Sequence, residues 1–376
     1  MRHGYDLAVV GAGIVGLAHA LAAARLGKRV VVIDRDAQAN GASIRNFGFV
    51  TVTGQQAGEC WARARRSRDV WAEVARAAGI PVLQRGLTVL AERGEAVAVL
   101  EAFRATDMGA ACRMLTPAEA ASDLPITPRV RAALRSPHEL RVESRTAIPR
   151  LAAWLAEAHG VTFLWSRSVT GLALPRIETS RGPVHAEAAV ICPGDDFTGL
   201  YAARIGAMGF TRCLLQMLRV TPGTRMSLPT PVMSDLGLAR YLGYAELPEA
   251  APLKARLDAE RAEARAEGIH LIAVQSADGS LVVGDSHRYA ATPHPFADAR
   301  VDDLILAELD AVLDLPGRAV TERWTGTYAS APDRLAWTDH VSEAEKIVIV
   351  TSGTGASTAF AIGEETIQSL YGRIAA

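Results

Sequence analysis

Residues 5–36 read YDLAVVGAGIVGLAHALAAARLGKRVVVIDRD, and no other stretch limits the possible folds so tightly. A short apolar run, Leu7–Val10, meets Gly11, Gly13 and Gly16 in the spacing G-x-G-x-x-G. A helix of small residues follows, closed by Gly27, and a second apolar run, Val30–Ile33, ends in Asp34. This is strand, tight turn, helix, strand and acid, the unit that binds a dinucleotide. Gly11 allows the turn, Gly13 lets backbone approach a pyrophosphate, and Gly16 lets helix pack on strand. The helix start offers free N–H groups and a positive dipole end to phosphate. Asp34 is placed to accept from an adenosine ribose, and its charge disfavours a 2′-phosphate.

The chain has 376 residues, 49% apolar and 22% charged, enough for two domains or one interleaved pair. A net charge of −1 gives no electrostatic case for nucleic acid or an anionic membrane. Cys60, Cys112, Cys192 and Cys213 are scattered, without metal-site or disulfide spacing, so no metal is expected and a reducing cytoplasm fits best. No run approaches the roughly 20 apolar residues of a membrane span, and Asp6 sits where a signal peptide would be basic.

Residues 37–54 form a small, polar loop containing GASIRNFG (Gly41–Gly48), expected to close over the nucleotide, with Arg45 and Asn46 its notable polar residues. Gln55–Ala78 reads as an amphipathic helix with a solvated basic face, Ile80–Ala91 as two short strands about Arg85-Gly86, and Glu95–Thr106 as a helix. Thr116–Ser122 opens a helix with a cap-like Thr-Pro-x-Glu start, and 123–145, rich in proline and arginine, reads as a crossing between domains. Arg145–His159 is helical, His159–Leu172 an alternating strand, and EAAVICPG (Glu187–Gly194) a buried strand returning to the first sheet. Such a return is more typical of flavoproteins than of simple nicotinamide dehydrogenases. Residues 207–290 are strand-rich (Cys213–Thr221, Pro231–Asp235, Leu271–Ser276, Leu281–Asp285), interrupted by one helix, Leu253–Glu267. They predict an antiparallel substrate domain, and Asp302–Leu313 is an amphipathic helix leading back. Near the C-terminus, Lys346–Leu370 is strand, Ser-Gly-Thr-Gly turn and small-residue helix, a second polarised helix start suited to the pyrophosphate or the anionic end of a reduced flavin.

Together GAGIVG with Asp34, GASIRNFG, EAAVICPG, RWTGTYASAPD (Arg323–Asp333) and SGTGAS (Ser352–Ser357) resemble, in content and order, the FAD-dependent amine and amino-acid oxidoreductases, the superfamily of D-amino-acid, glycine and sarcosine oxidases. The likeness covers nearly the whole chain. It implies an α/β (α+β overall) fold: a discontinuous Rossmann-like FAD domain (1–82, 142–206, 321–376) interleaved with an antiparallel-sheet substrate domain (83–141, 207–320). It implies FAD, held by Gly11, Gly13, Ile14, Val15, Gly16, Asp34, Arg35, Ala42, Ser43, Arg45, Asn46, Val169, Pro193, Gly194, Gly326, Gly353, Thr354, Gly355, Ala356 and Ser357. In the segment matching Gly326–Ala329, glycine and D-amino-acid oxidases carry a substrate-gripping arginine; here Tyr328 stands there, as in monomeric sarcosine oxidase. The flavin-linking cysteine of sarcosine oxidase would fall near Gly326, so the FAD is expected to be non-covalent. The oxygen-assisting lysine would fall near Ser357, which leaves the acceptor open between oxygen and another carrier. GASIRNFG, GDSHRY (Gly284–Tyr289) and QMLR (Gln216–Arg219) also resemble a subfamily of aminophosphonate catabolism.

The expected reaction removes a hydride from the carbon beside a neutral amine nitrogen, giving an imine that hydrolyses; a desolvating pocket can lower the ammonium pKa without a strong base. An anionic substrate needs a cation with paired donors. Arg45 is the first candidate and Arg288 the second, with Tyr289 beside it. Tyr328 and His287 are candidate substrate-facing groups, His287 equally readable as a structural histidine; Tyr241 and Tyr244 read as packing or pocket wall. The partners implied are a small amine and an electron acceptor, with self-association allowed. Competing readings are a nicotinamide-dependent dehydrogenase, a nucleic-acid-modifying flavoprotein and a non-catalytic flavin-binding protein.

Overall fold

Apolar strands with no polar alternation must be covered on both sides, and the centre of the first sheet of this computed structural model, which describes residues 4–372, is made of them. Its order is Ala336–Ser342, Glu345–Val350, Val184–Ile191, Tyr5–Val10, Val30–Ile33, Thr162–Leu164. All these neighbours run parallel except the edge strand Ala336–Ser342. The expected return of the EAAVICPG strand is therefore made beside the first strand, Val190 opposite Val9. Leu17, Trp71, Leu151 and Phe360 pack over one face of this sheet against Leu7 and Val9; Ala8, Val31 and Ile33 pack with Ile177 on the other. The helices Ile14–Arg25 and Gly355–Tyr371 touch backbone to backbone: a Cβ on Gly363 would lie 2.9 Å from the carbonyl carbon of Ala18. Of the segment 159–172, only Thr162–Leu164 joins the sheet. Ser166 turns the chain at φ 51°, and Val169–Ala173 forms a hairpin with Arg176–Thr179, which in turn pairs antiparallel with the start of Val184–Ile191.

The second sheet has ten strands. It is antiparallel apart from Val232–Ser234, which lies parallel to Val82–Ala91. Four sequence expectations are corrected here. Ile80–Ala91 is not two strands about a turn but one, Val82–Ala91, with a register shift between Arg85 and Leu87, where Gly86 has φ 75°. Residues 123–145 are not a crossing segment, because Ala132–Val142 pairs along that strand. Pro137 falls in the interrupted register, where its missing N–H costs no ladder bond, and Arg135 is neutralised by Asp123. The helix expected over Leu253–Glu267 is two, Ala250–Glu260 and Ala262–Ala266, broken at Arg261. The helix Glu59–Ala78 does not simply wet its basic face, since Arg63 and Arg66 pair with Glu365 and Glu364 of the C-terminal helix.

Strand Ala319–Ser330 hydrogen-bonds along Thr211–Thr221, and Phe49–Val50 joins the far edge of the second sheet. The chain thus passes back and forth between the two sheets, and the boundary expected at 321 falls inside the strand Ala319–Ser330; the limits at 1 and 376 lie outside the described residues. Among the described residues, no helix is long and apolar enough to cross a membrane.

Candidate functional site

A cavity of about 790 Å³ is lined from both sheets. At one end stands the first glycine turn. Gly11 has φ 106°, and a Cβ there would lie 2.4 Å from the Cys192 carbonyl oxygen; a Cβ on Gly16 would lie 1.9 Å from the Gly11 carbonyl oxygen. No other residue type fits either place without moving backbone. The helix begins at Ile14, whose N–H donates to Ser43 Oγ at 2.9 Å, so the GASIRNFG loop is tied to the helix start. Asp34 also braces the turn, accepting from the Ala12 N–H at 2.6 Å and the Asp36 N–H at 2.9 Å. Arg35 pairs with Asp196 across the mouth beyond Pro193 and Gly194.

The structure brings nearly the whole expected cofactor set into this wall, including Val15, Ala42, Val169, Gly326, Gly353, Thr354, Gly355 and Ala356. Ser357 is the correction: it is 2% exposed, lies outside the cavity, and its hydroxyl accepts from the Thr51 N–H. Asn46 lines the cavity, yet its side-chain amide donates to the Ala42 carbonyl and accepts from the Gly48 N–H, so it shapes the loop. Arg45 also lines the cavity and its guanidinium donates to Asn40; a Cβ on Gly326 would meet Arg45 Cβ at 3.2 Å, so that glycine admits the loop.

The other end is assembled across strands. Tyr289 and Tyr328 both face Cys213 in register, which puts all three side chains on one sheet face. Tyr328 reaches the second glycine turn: its hydroxyl would lie 3.6 Å from a Cβ on Gly353. Burial holds the Tyr328 phenol well above its ordinary pKa, so it stays protonated. Arg240, which sequence reasoning missed, lines the cavity and donates to the Tyr289 hydroxyl at 3.0 Å, and it pairs with no carboxylate among the described residues. Arg288 is a correction, lying outside the cavity and neutralised by Glu267 and Asp298. Tyr241 is cavity wall, while Tyr244 is fully buried and packs on Phe103 at 4.5 Å between ring centroids.

His287 lines the cavity with Asp285, which the sequence reading held within GDSHRY without giving it a role, and with His270, which it did not name. All three are buried, and their ligand-type atoms lie within 4.8 Å of one another. His270 and Asp285 exchange backbone hydrogen bonds, which sets them opposite each other just beyond the paired strands Ile272–Gln275 and Leu281–Gly284. Burial raises the Asp285 carboxyl to about 7 against the pull of Arg240. Burial, reinforced by Arg240, holds both histidines well below their usual range, so they are neutral at neutral pH.

With that geometry in place, the family described as "FAD dependent oxidoreductase" matches residues 6–369. The fold is similar to glycine oxidase from Geobacillus kaustophilus (TM-score 0.77, 18% identity, 100% of this chain and 96% of that one). It is also similar to L-proline dehydrogenase from P. horikoshii (0.78, 19%, 99% and 94%) and to iminodiacetate oxidase from Chelativorans sp. BNC1 (0.73, 20%, 98% and 96%). At these identities the likeness is one of fold. No curated protein sequence matches the chain.

Proposed function

The chain belongs to the FAD-dependent oxidoreductase family, and we propose from that premise that it oxidises the C–N bond of a small amine bearing an anionic group. The residues fit the family's cofactor. The glycine turn has no room for side chains at Gly11 and Gly16, a helix start and Asp34 flank it, and a second glycine turn closes the same cavity. A volume near 790 Å³ is in the upper part of the range for cofactor sites, ~300–1,000 Å³. When bound, FAD supplies the hydride acceptor; the protein's part is to hold and orient the amine.

The observation that carries the reading is Arg240. A guanidinium in a cavity wall with a phenol as its partner and no carboxylate among the described residues has unspent charge and unspent donors, the condition for gripping a carboxylate or phosphonate. Tyr289 and Tyr328 flank the anion's place with protonated hydroxyls, and Phe47, Phe49 and Leu215 exclude water from the remaining wall. Arg45, nearer the cofactor turns, is assigned to the cofactor side of the substrate. Glycine oxidase and iminodiacetate oxidase, which share the fold, support amino acids and their N-substituted forms; the motif resemblance adds aminophosphonates. We assign the first sheet and its helices to FAD binding, the second sheet to the substrate, and oxygen or another carrier as final acceptor. Four buried free cysteines support a reducing compartment.

The test is a visible spectrum of the purified protein, repeated anaerobically with glycine, sarcosine, a D-amino acid, 2-aminoethylphosphonate and its N-methyl form. Flavin absorbance that one of these bleaches is the expected result. A flavoprotein that none bleaches overturns the substrate assignment.

A further inference from the structure

Asp285 sits between two imidazoles, and one of its buried carboxylate oxygens has no hydrogen-bond partner among the described residues. The His287 Nδ1 lies 2.9 Å from the Gly268 carbonyl oxygen. A carbonyl only accepts, so that nitrogen carries the hydrogen and Nε2 presents a lone pair. That lone pair is 3.7 Å from Asp285 Oδ2, and His270 Nδ1 is 3.3 Å from Asp285 Oδ1. Neither His270 Nδ1 nor Asp285 Oδ1 has a hydrogen-bond partner, although both are buried. His287 Nε2 and the Asp285 carboxylate are acceptors facing each other in a buried pocket, which is costly, and one proton delivered to the cluster removes the conflict. The cluster lines the same cavity as Arg240, so a substrate with its anion on Arg240 can present its ammonium here.

Building on the amine-oxidation reading, we propose that His270, Asp285 and His287 form the proton acceptor that neutralises the substrate ammonium, with Asp285 taking the proton and the imidazoles sharing it. One ammonium N–H bond breaks and its electron pair stays on nitrogen. The proton bonds to a carboxylate oxygen, so ammonium plus carboxylate become amine plus carboxylic acid with no net change in charge. The neutral amine is the form from which the adjacent C–H can leave as hydride. The charged and titratable groups facing Asp285 are Arg240, Tyr241, Cys213 and the two histidines. Arg240 stays cationic; burial keeps Tyr241 and Cys213 protonated and both histidines neutral near pH 7. Asp285, raised to about 7, is the member whose charge changes there, close to the pKa at which a base works best at that pH.

The experiment uses the FAD-loaded protein and its Asp285→Asn and His270→Gln variants, each first checked for stoichiometric flavin. Anaerobic bleaching by the reactive amine is followed against pH. Asp285→Asn is expected to slow bleaching about 100-fold at pH 7. Its deficit shrinks about tenfold per pH unit as the pH rises toward the amine's own pKa, because substrate then arrives already neutral. His270→Gln shifts the acid limb of the profile and keeps the flavin. Infrared difference spectra with the amine's α,α-dimethyl analogue, which has no C–H to lose (2-aminoisobutyrate for glycine or alanine), are expected to gain a protonated-carboxyl band that Asp285→Asn lacks. A deficit that does not change with pH, or no such band, overturns the assignment. So does one equivalent of a divalent metal in the wild-type protein that Asp285→Asn releases. If no amine bleaches the wild type, the substrate reading falls and takes this proposal with it. Bleaching in the wild type with a pH-independent deficit in the variant refutes the proton acceptor alone.

Discussion

The two ends of the cavity are built by different means. At the cofactor end, backbone does the work: Gly11 and Gly16 are defined by the absence of side chains, and the helix start and Asp34 follow within one continuous unit. At the substrate end nothing is contiguous. Tyr328 comes from one strand, Tyr289 from a second, His270 and Asp285 from the residues flanking the strands Ile272–Gln275 and Leu281–Gly284, and Arg240 from the end of a short helical turn. The first end is expected to reject a change of shape and the second to lose a charge while keeping its fold.

The contrast is broken most severely at the glycine turn. Gly16→Val forces a side chain against the Gly11 carbonyl; backbone must move, at roughly 3 kcal/mol or more, and flavin is expected to be lost. Stoichiometric FAD in that variant, read from its visible spectrum, would mean that the turn does not hold the cofactor. At the opposite end, Arg240→Met keeps length and packing but removes the charge. The expected loss is about 3 kcal/mol, on the order of 100-fold in the apparent substrate constant, with flavin content unchanged.

How much of this was legible follows from the same contrast. A G-x-G-x-x-G spacing is local, so strand, turn, helix and acid could be read from thirty-odd residues, and the SGTG turn likewise. Arg240 gives no local signal. It lies in GLARYLGY among apolar residues, and only the fold brings it to Tyr289. Asp285 was within a recognised motif, GDSHRY, but its meaning depends on His270 across the strand pair. Arg288, in that same motif, was the second candidate for the substrate anion until Glu267 and Asp298 were seen to neutralise it. Proline and arginine disguised the strand Ala132–Val142 because a register interruption and an ion pair made both acceptable there.

Two smaller effects sharpen the comparison. Arg45→Ala is expected to raise the apparent substrate constant about tenfold, some 1.4 kcal/mol, and to lower flavin content far less; equal losses would move Arg45 wholly to the cofactor. Arg288→Ala removes two ion pairs at a partly exposed side chain and is expected to cost under about 1 kcal/mol of stability, with steady-state kinetics unchanged. A substrate constant that rises as far as in Arg240→Met would restore Arg288 to the site.

The central claim is that Arg240 selects an anionic amine, and one paired anaerobic titration tests it: the amine that bleaches the wild-type flavin, and its methyl ester, which keeps the amine and removes the negative charge. The account predicts bleaching by the anionic form at a concentration about 100-fold lower in the wild type, and a preference that collapses in Arg240→Met. Equal response to both forms in the wild type, or a preference that survives in the variant, would contradict it.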